Sequence, residues 1–131
     1  MGSNAQSAMQ HTAVPLSLMQ ATISKFSDAW GRGDIEGLMM LMSDAPLYKT
    51  SSGLVFEGRE AVREGFARIC QPAGSPSPPG QFFFFDDKCL SYWTLKLPSP
   101  DGKTRTVEGI DVISIDPDGR IRVKDAYRKG V

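Results

Sequence analysis

Two carboxylates, Asp111 and Asp125, stand out as residues whose type and spacing can do chemistry. From Gln81 to Val131 the chain reads as three strands joined by two turns of one kind, Ser99-Pro100-Asp101-Gly102 and Asp116-Pro117-Asp118-Gly119. Proline presets φ at the second position of a type I turn, and the glycine supplies the left-handed residue of a bulged three-residue hairpin loop. This turn chemistry predicts that Ile115 faces Ile121, Ile113 faces Val123 and Asp111 faces Asp125. In the preceding hairpin it predicts that Leu97 faces Arg105, Leu95 faces Val107, Trp93 faces Gly109 and Ser91 faces Asp111. Side chains alternate along strands, so all these positions share one side of the sheet, and it is the largely apolar side. Opposed carboxylates in a low-dielectric cleft cannot both ionise cheaply, so one is expected to be protonated beside an ionised partner. Such a pair suits enolisation, aldol-type cyclisation or dehydration of a carbonyl compound. The alternative is that a nearby Arg or Lys neutralises the two acids, or that Asp125 bonds backbone groups at a bulge.

Around the pair, Trp93, Gly109 and Tyr127 form a row in which the glycine makes room for a flat ligand or for the rings themselves. Tyr48 is either a hydrogen-bond donor into the pocket or a plain half-buried strand residue. Phe26 and Trp30, with Met39, Met40 and Met42, read as core or pocket wall. Thr50, Ser91, Ile113 and Val123 complete the expected lining. The other face of the sheet, with Tyr92, Thr94, Lys96, Thr106, Glu108, Ile110, Val112, Ser114, Arg122 and Lys124, is mixed and reads as solvated or as a dimer interface.

The elements that must position these residues are legible as well. After Pro15, Leu16, Met19, Ile23, Phe26 and Trp30 form an apolar stripe at helical spacing, which Gly31-Arg32-Gly33 breaks. Asp34 caps a short helix over Ile35–Met42, with Leu38, Leu41 and Met42 inward. Leu47 to Thr50 and Leu54 to Phe56 are strands around Ser51-Ser52-Gly53. Gly58 opens a third helix, Arg59–Ile69, which buries Ala61, Val62, Phe66 and Ile69, while Arg59, Arg63 and Arg68 with Glu60 and Glu64 make a solvated face. Residues 71–80 hold four prolines and read as a loop. Three helices followed by a hairpinned sheet give an α+β layout, with the antiparallel sheet curved around the helices into a cone whose mouth is a natural small-molecule site.

Composition narrows the function classes. The 131 residues suffice for one domain, read as 15–131 behind a flexible tail over 1–14. Lys plus Arg and Asp plus Glu both number 15, so no net field draws nucleic acid or an anionic membrane. Cys70 and Cys89 are too few for a disulfide scaffold and read as reduced, buried thiols, and the lone His11 argues against a histidine metal site. No apolar run is long enough to span a bilayer, and the first residues lack a signal-peptide pattern, so a cytoplasmic protein is expected.

The stretch Ala29-Trp30-Gly31-Arg32-Gly33-Asp34-Ile35-Glu36-Gly37-Leu38 resembles the helix-to-helix junction of the nuclear transport factor 2-like superfamily. That superfamily includes ketosteroid isomerases, SnoaL-like polyketide cyclases, limonene epoxide hydrolases and scytalone dehydratases. Phe56-Glu57-Gly58-Arg59-Glu60-Ala61-Val62 fits it too, as does Gly109-Ile110-Asp111-Val112 followed by Asp118-Gly119-Arg120-Ile121. The resemblance implies a cystatin-like cone, no cofactor, no metal, a small apolar molecule in the cone and a homodimer through the sheet. Resemblance to ketosteroid isomerase places Asp111 on that enzyme's oxyanion-hole aspartic acid, a worked example of a carboxylic acid kept neutral by an apolar site. It places Thr50 on the proton-abstracting base and Phe26 on the oxyanion-hole tyrosine, and neither has the needed group. Resemblance to limonene epoxide hydrolase places Tyr48 and Asp125 on site positions, without the Arg and Asp of the preceding strand. The SnoaL-like group is the least contradicted. It implies a cofactor-independent isomerase, cyclase or lyase using Asp111, Asp125 and Tyr48 on an apolar carbonyl compound, with a non-catalytic ligand-binding or dimerisation module as the alternative.

Overall fold

A computed structural model describes residues 14–70 and 80–129. Helix α1 (Leu16–Arg32) follows Pro15 and buries Met19, Thr22, Ile23, Phe26 and Ala29. Gly33 ends it with φ at 66°, the left-handed residue that closes a helix without a Cβ penalty. Asp34 caps α2 (Ile35–Met40), its carboxylate accepting from the Gly37 N–H at 3.0 Å. This helix stops short of the expected Met42, because Met42 already begins β1 (Met42–Lys49) and is fully buried there. Met40, expected in the core, is instead 78% exposed.

A short strand β2 (Val55–Glu57) leads to α3 (Arg59–Ile69), which buries Val62, Gly65 and Phe66. Its buried arc is narrower than the apolar pattern suggests: Ala61 is half-buried and Ile69 is exposed. The arc centres on Gly65 because the Phe56 ring lies where a side chain there would go, 2.7 Å from the position of a Cβ. Arg59 does not join the solvated face. Its guanidinium donates to the carbonyls of Met39 in the last turn of α2 and of Met42 and Ser43 at the start of β1, at 2.9–3.0 Å, and so ties the helix end to the strand that follows.

The remaining strands are β3 (Gln81–Phe85), β4 (Lys88–Pro98), β5 (Thr104–Ile115) and β6 (Ile121–Lys129). One sheet runs in the order β2-β1-β6-β5-β4-β3, curved and antiparallel throughout except for the β1–β6 pair, which is parallel. Its concave face packs on the helices around Leu38, Met39, Val62, Phe66, Ile115 and Ile121. Val14 packs into this core; the rest of the tail, and the 71–80 loop apart from Gly80, lie outside the described residues. No helix among the described residues is long and apolar enough to cross a membrane.

The β4–β5 hairpin has the expected register, with Leu97 opposite Arg105, Leu95 opposite Val107, Trp93 opposite Gly109 and Ser91 opposite Asp111. The β5–β6 hairpin keeps Ile115 opposite Ile121 and then departs from it. A bulge at Arg122 shifts the ladder, so Ser114 faces Val123, Ile113 faces Lys124, Val112 faces Asp125 and Asp111 faces Ala126. A bulge adds one residue to one strand and re-aims its neighbours. Here the extra residue is held by tertiary partners, since the Arg122 guanidinium lies 2.5 Å from Asp87 and 3.6 Å from Asp116. One step in a two-residue period exchanges the faces of β6.

Candidate functional site

The exchange brings Lys124, rather than Asp125, to the concave side. Lys124 is 4% exposed and its Nζ lies 3.2 Å from Asp111 Oδ2. The other carboxylate oxygen, Oδ1, accepts from the Trp93 indole N–H at 3.1 Å. The ammonium also sits 4.6 Å from the centre of the Trp30 ring and 4.9 Å from that of Tyr48, within the range where an aromatic face attracts a cation. Each part arrives from a different element. Asp111 comes from β5, Trp93 from β4, Lys124 from β6, Tyr48 from β1 opposite Lys124, and Trp30 from the last turn of α1. Phe26 and Phe66 close the aromatic wall behind them, with ring centres 5.9 Å (Phe26–Trp30) and 5.1 Å (Tyr48–Phe66) apart.

The concave face therefore gathers Asp111, Tyr48, Phe26, Trp30, Ser91, Trp93, Gly109 and Ile113. Four expected members lie elsewhere. Asp125, Val123 and Tyr127 project from the convex face, where the Tyr127 hydroxyl donates to Asp125 at 2.9 Å and Tyr127 is 55% exposed. The shared-proton pair of Asp111 and Asp125 is thereby overturned, and Arg128 rather than Tyr127 stands opposite Gly109. Thr50 is also out of the cone. It belongs to the turn after β1, where its hydroxyl accepts from the Leu54 N–H at 3.0 Å and contacts Ser52. Lys124 and Arg128 are the residues that strand alternation alone missed. A signal existed, because an inward Asp111 in an apolar row needs a counter-ion, and the inward register of β6 that supplies one is offset by a single residue.

Burial, and then the Asp111 carboxylate and Cys70, push the Tyr48 phenol well above its usual value, so the hydroxyl keeps its proton at neutral pH. Both thiols are free and buried. Burial pushes Cys89 up to about 12, with Asp111 adding to it and a backbone hydrogen bond at Phe83 opposing. Cys70 is raised for the same first reason, with Lys124 opposing, and its Sγ donates to the Trp30 carbonyl at 3.3 Å. A thiol is nucleophilic only as thiolate. Native Cys89 is expected to resist iodoacetamide at pH 8 and to react at the rate of a free cysteine once the protein is unfolded; equal rates in the two states, read by mass spectrometry, would exclude its burial.

An open groove of about 510 Å³ runs between α1 and β3, bordered by Ile23, Ser24, Ser27, Asp28, Phe82 and Phe84. Phe82 pairs with Ser91, which pairs with Asp111, while Phe84 pairs with Cys89, which pairs with Ile113 beside Lys124. The groove wall thus continues the two rows that carry the ion pair, at roughly 10 Å from it by strand spacing. Its volume is that of a small-molecule site.

Among solved structures the chain is similar to a nuclear transport factor 2-like protein of unknown function from Mesorhizobium loti, 21% identical over 87% of this chain and 93% of that one, with a TM-score of 0.71. It is also similar to a putative polyketide cyclase from Xanthomonas campestris pv. campestris, 15% identical over 85% of this chain and 90% of that one, TM-score 0.67. A third likeness is to TerC co-crystallized with polyporic acid, 18% identical over 86% and 92%, TM-score 0.69. At such identities these structures speak for the fold alone, and no curated protein matches the chain. The SnoaL-like domain model, by contrast, matches residues 23–123 and so takes in α1 from Ile23 onward, both later helices and the sheet as far as the bulge that turns Lys124 inward. The chain belongs to the SnoaL-like domain family and carries its cone-shaped α+β fold.

Proposed function

We propose that the protein binds a flat, apolar carbonyl compound in the cone and performs acid–base chemistry on it through Lys124 and Asp111, with no cofactor. Asp111 takes the proton from the carbon next to the carbonyl, and the Lys124 ammonium, with the Tyr48 phenol as a second donor, stabilises the oxygen on which negative charge develops. Proton return to a different atom gives isomerisation; attack of the enolate on a second carbonyl gives cyclisation; loss of a β-hydroxyl gives dehydration. One observation carries the reading: an ion pair is held almost dry inside a wall of aromatic rings. Desolvating two charges costs several kcal/mol per ion, and apolar residues of similar volume hold a core at least as well. The test uses 2-tetralone, a flat apolar ketone, and follows exchange of its α-hydrogens in D2O by NMR. Wild-type protein should accelerate exchange, and Asp111→Asn should lose about a hundredfold or more of that acceleration. Absence of acceleration by the wild type favours the second reading, a ligand-binding module without catalysis. That reading draws on the fact that both Asp111 oxygens already have partners.

The same proposal gives the convex face a partner, a second copy of this chain. Phe83, Phe85, Ile110 and Tyr127 are exposed there. Glu108 and Asp125 share the face with Lys49, Lys96 and Lys129, and a two-fold interface needs both signs on one surface. Light scattering should report a dimer for the wild type and a monomer for Ile110→Glu; a monomeric wild type would remove this partner.

A further inference from the structure

Arg128 stands next to the site and has no role in the chemistry just described. It lies on the concave face of β6, opposite Gly109, in the row that begins with Trp93. It is half-buried, and its Nε is fully buried without a hydrogen-bond partner. A buried, unpaired donor on a charged group is costly and rare in folded proteins. No carboxylate among the described residues forms an ion pair with Arg128. Asp111, the acid on the neighbouring strand and the same face, is committed to Lys124 and Trp93. Asp125 is turned to the other side of the sheet.

The surroundings explain what such an arginine can hold. Gly109 leaves a gap between Trp93 and Arg128, and the Trp93 indole fills it: a Cβ at Gly109 would stand 2.1 Å from Trp93 Cζ2. The indole is locked there by its hydrogen bond to Asp111. A rigid aromatic ring beside a planar guanidinium with free donors is the arrangement that receives a flat ring bearing an acidic oxygen, because the fork of arginine matches a carboxylate. Along β6, Arg128 and Lys124 are four residues apart, roughly 13 Å at the strand rise.

We propose that Arg128 anchors an anionic group of the ligand, so that the compound taken by the cone is a flat ring system carrying a carboxylate or a comparably acidic oxygen at the end remote from Lys124. The inference rests on the cone being the ligand site, and it adds the charge of the ligand to that reading. The test compares 2-naphthoate with its neutral amide, 2-naphthamide, at pH 7, by titrating 15N-labelled protein and following the indole N–H signals of Trp30 and Trp93, the chain's two tryptophans. Naphthoate should shift the Trp93 signal and bind about 10- to 100-fold more tightly than the amide, the range of a charge-assisted pair. Arg128→Gln should bring the two affinities together while the amide still binds, and Arg128→Lys should restore only part of the preference because it keeps the charge and loses the fork. Equal affinity for the two compounds in the wild type, a preference that survives Arg128→Gln, or no naphthoate binding at millimolar concentration would each overturn it. Failure here is separable from failure of the proposed chemistry. Tetralone exchange without a carboxylate preference removes the anchor alone, and a carboxylate preference without exchange removes the catalysis alone.

Discussion

Replacing Lys124 by methionine is expected to cost about 3–5 kcal/mol of folding stability, the penalty for leaving a buried charge without its partner. The methionine fills the volume between Trp30 and Tyr48, so the loss comes from Asp111 and not from a cavity. Asp111 keeps the Trp93 donor and loses the cation 3.2 Å away, with only 14% of its side chain open to water that could replace it. Asp111→Asn alone should also destabilise, because it strands the ammonium. The sign of that effect depends on the register: opposite a second aspartate the same substitution would relieve repulsion. The double variant, Lys124→Met with Asp111→Asn, removes both charges and keeps the indole hydrogen bond. It should therefore lose less than Lys124→Met alone, a coupling that a double-mutant cycle isolates. Urea denaturation followed by tryptophan emission measures all four proteins. A loss below about 1 kcal/mol for Lys124→Met, the scale of an exposed pair, would mean that the pair is solvated.

Gly109→Ala should be nearly as costly for a different reason. The new methyl group would stand 2.1 Å from Trp93 Cζ2 and 2.5 Å from the Tyr127 carbonyl oxygen. The carbonyl is fixed by the ladder, so the indole must move. Overpacking of this kind costs about 1–3 kcal/mol. Moving the ring also strips Asp111 of a donor, which adds roughly 1.5–3 kcal/mol for a hydrogen bond to a charged group. A second change, Trp93→Leu, should relieve the clash, so Gly109→Ala should cost less in that background than in the wild type. Equal costs in both backgrounds, by urea midpoint at constant slope, would mean that the indole is not what the methyl group meets.

The two hairpins show what the sequence carries and what it does not. Both turns have the same Pro-Asp-Gly chemistry, and the pairing of Trp93 with Gly109 and of Ser91 with Asp111 follows from the first. The second turn sets only its nearest pair, Ile115 with Ile121. One residue further on, Arg122 answers to Asp87, which is distant in sequence, and no local pattern encodes that. The helices, the β4-β5-β6 order and the aromatic wall were legible because they depend on periodicity and turn residues, whereas the tight turn at Asp86-Asp87, with neither Gly nor Pro, splits what reads as one strand into β3 and β4. The identity of the charge facing Asp111 was not, because a single bulged residue decided it. Arg59 misled for a similar reason: its helical spacing fits a solvated pair, yet three distant carbonyls claim it.

The lone parallel pair in the sheet has a consequence for how the site comes into being. Strands β3 to β6 form a meander whose contacts are local in the chain, and it can assemble Trp93, Asp111 and Lys124 early. Tyr48 joins Lys124 only when β1 docks in parallel along β6, and that closure spans most of the chain. Non-local pairing pays its loop entropy before any contact repays it, so it forms late and opens first. The ion pair is therefore born wet and is dried only by the last strand to arrive. Amide exchange should be fastest in β1 and β2 and slowest in β4 and β5, and each transient departure of β1 readmits water to Lys124.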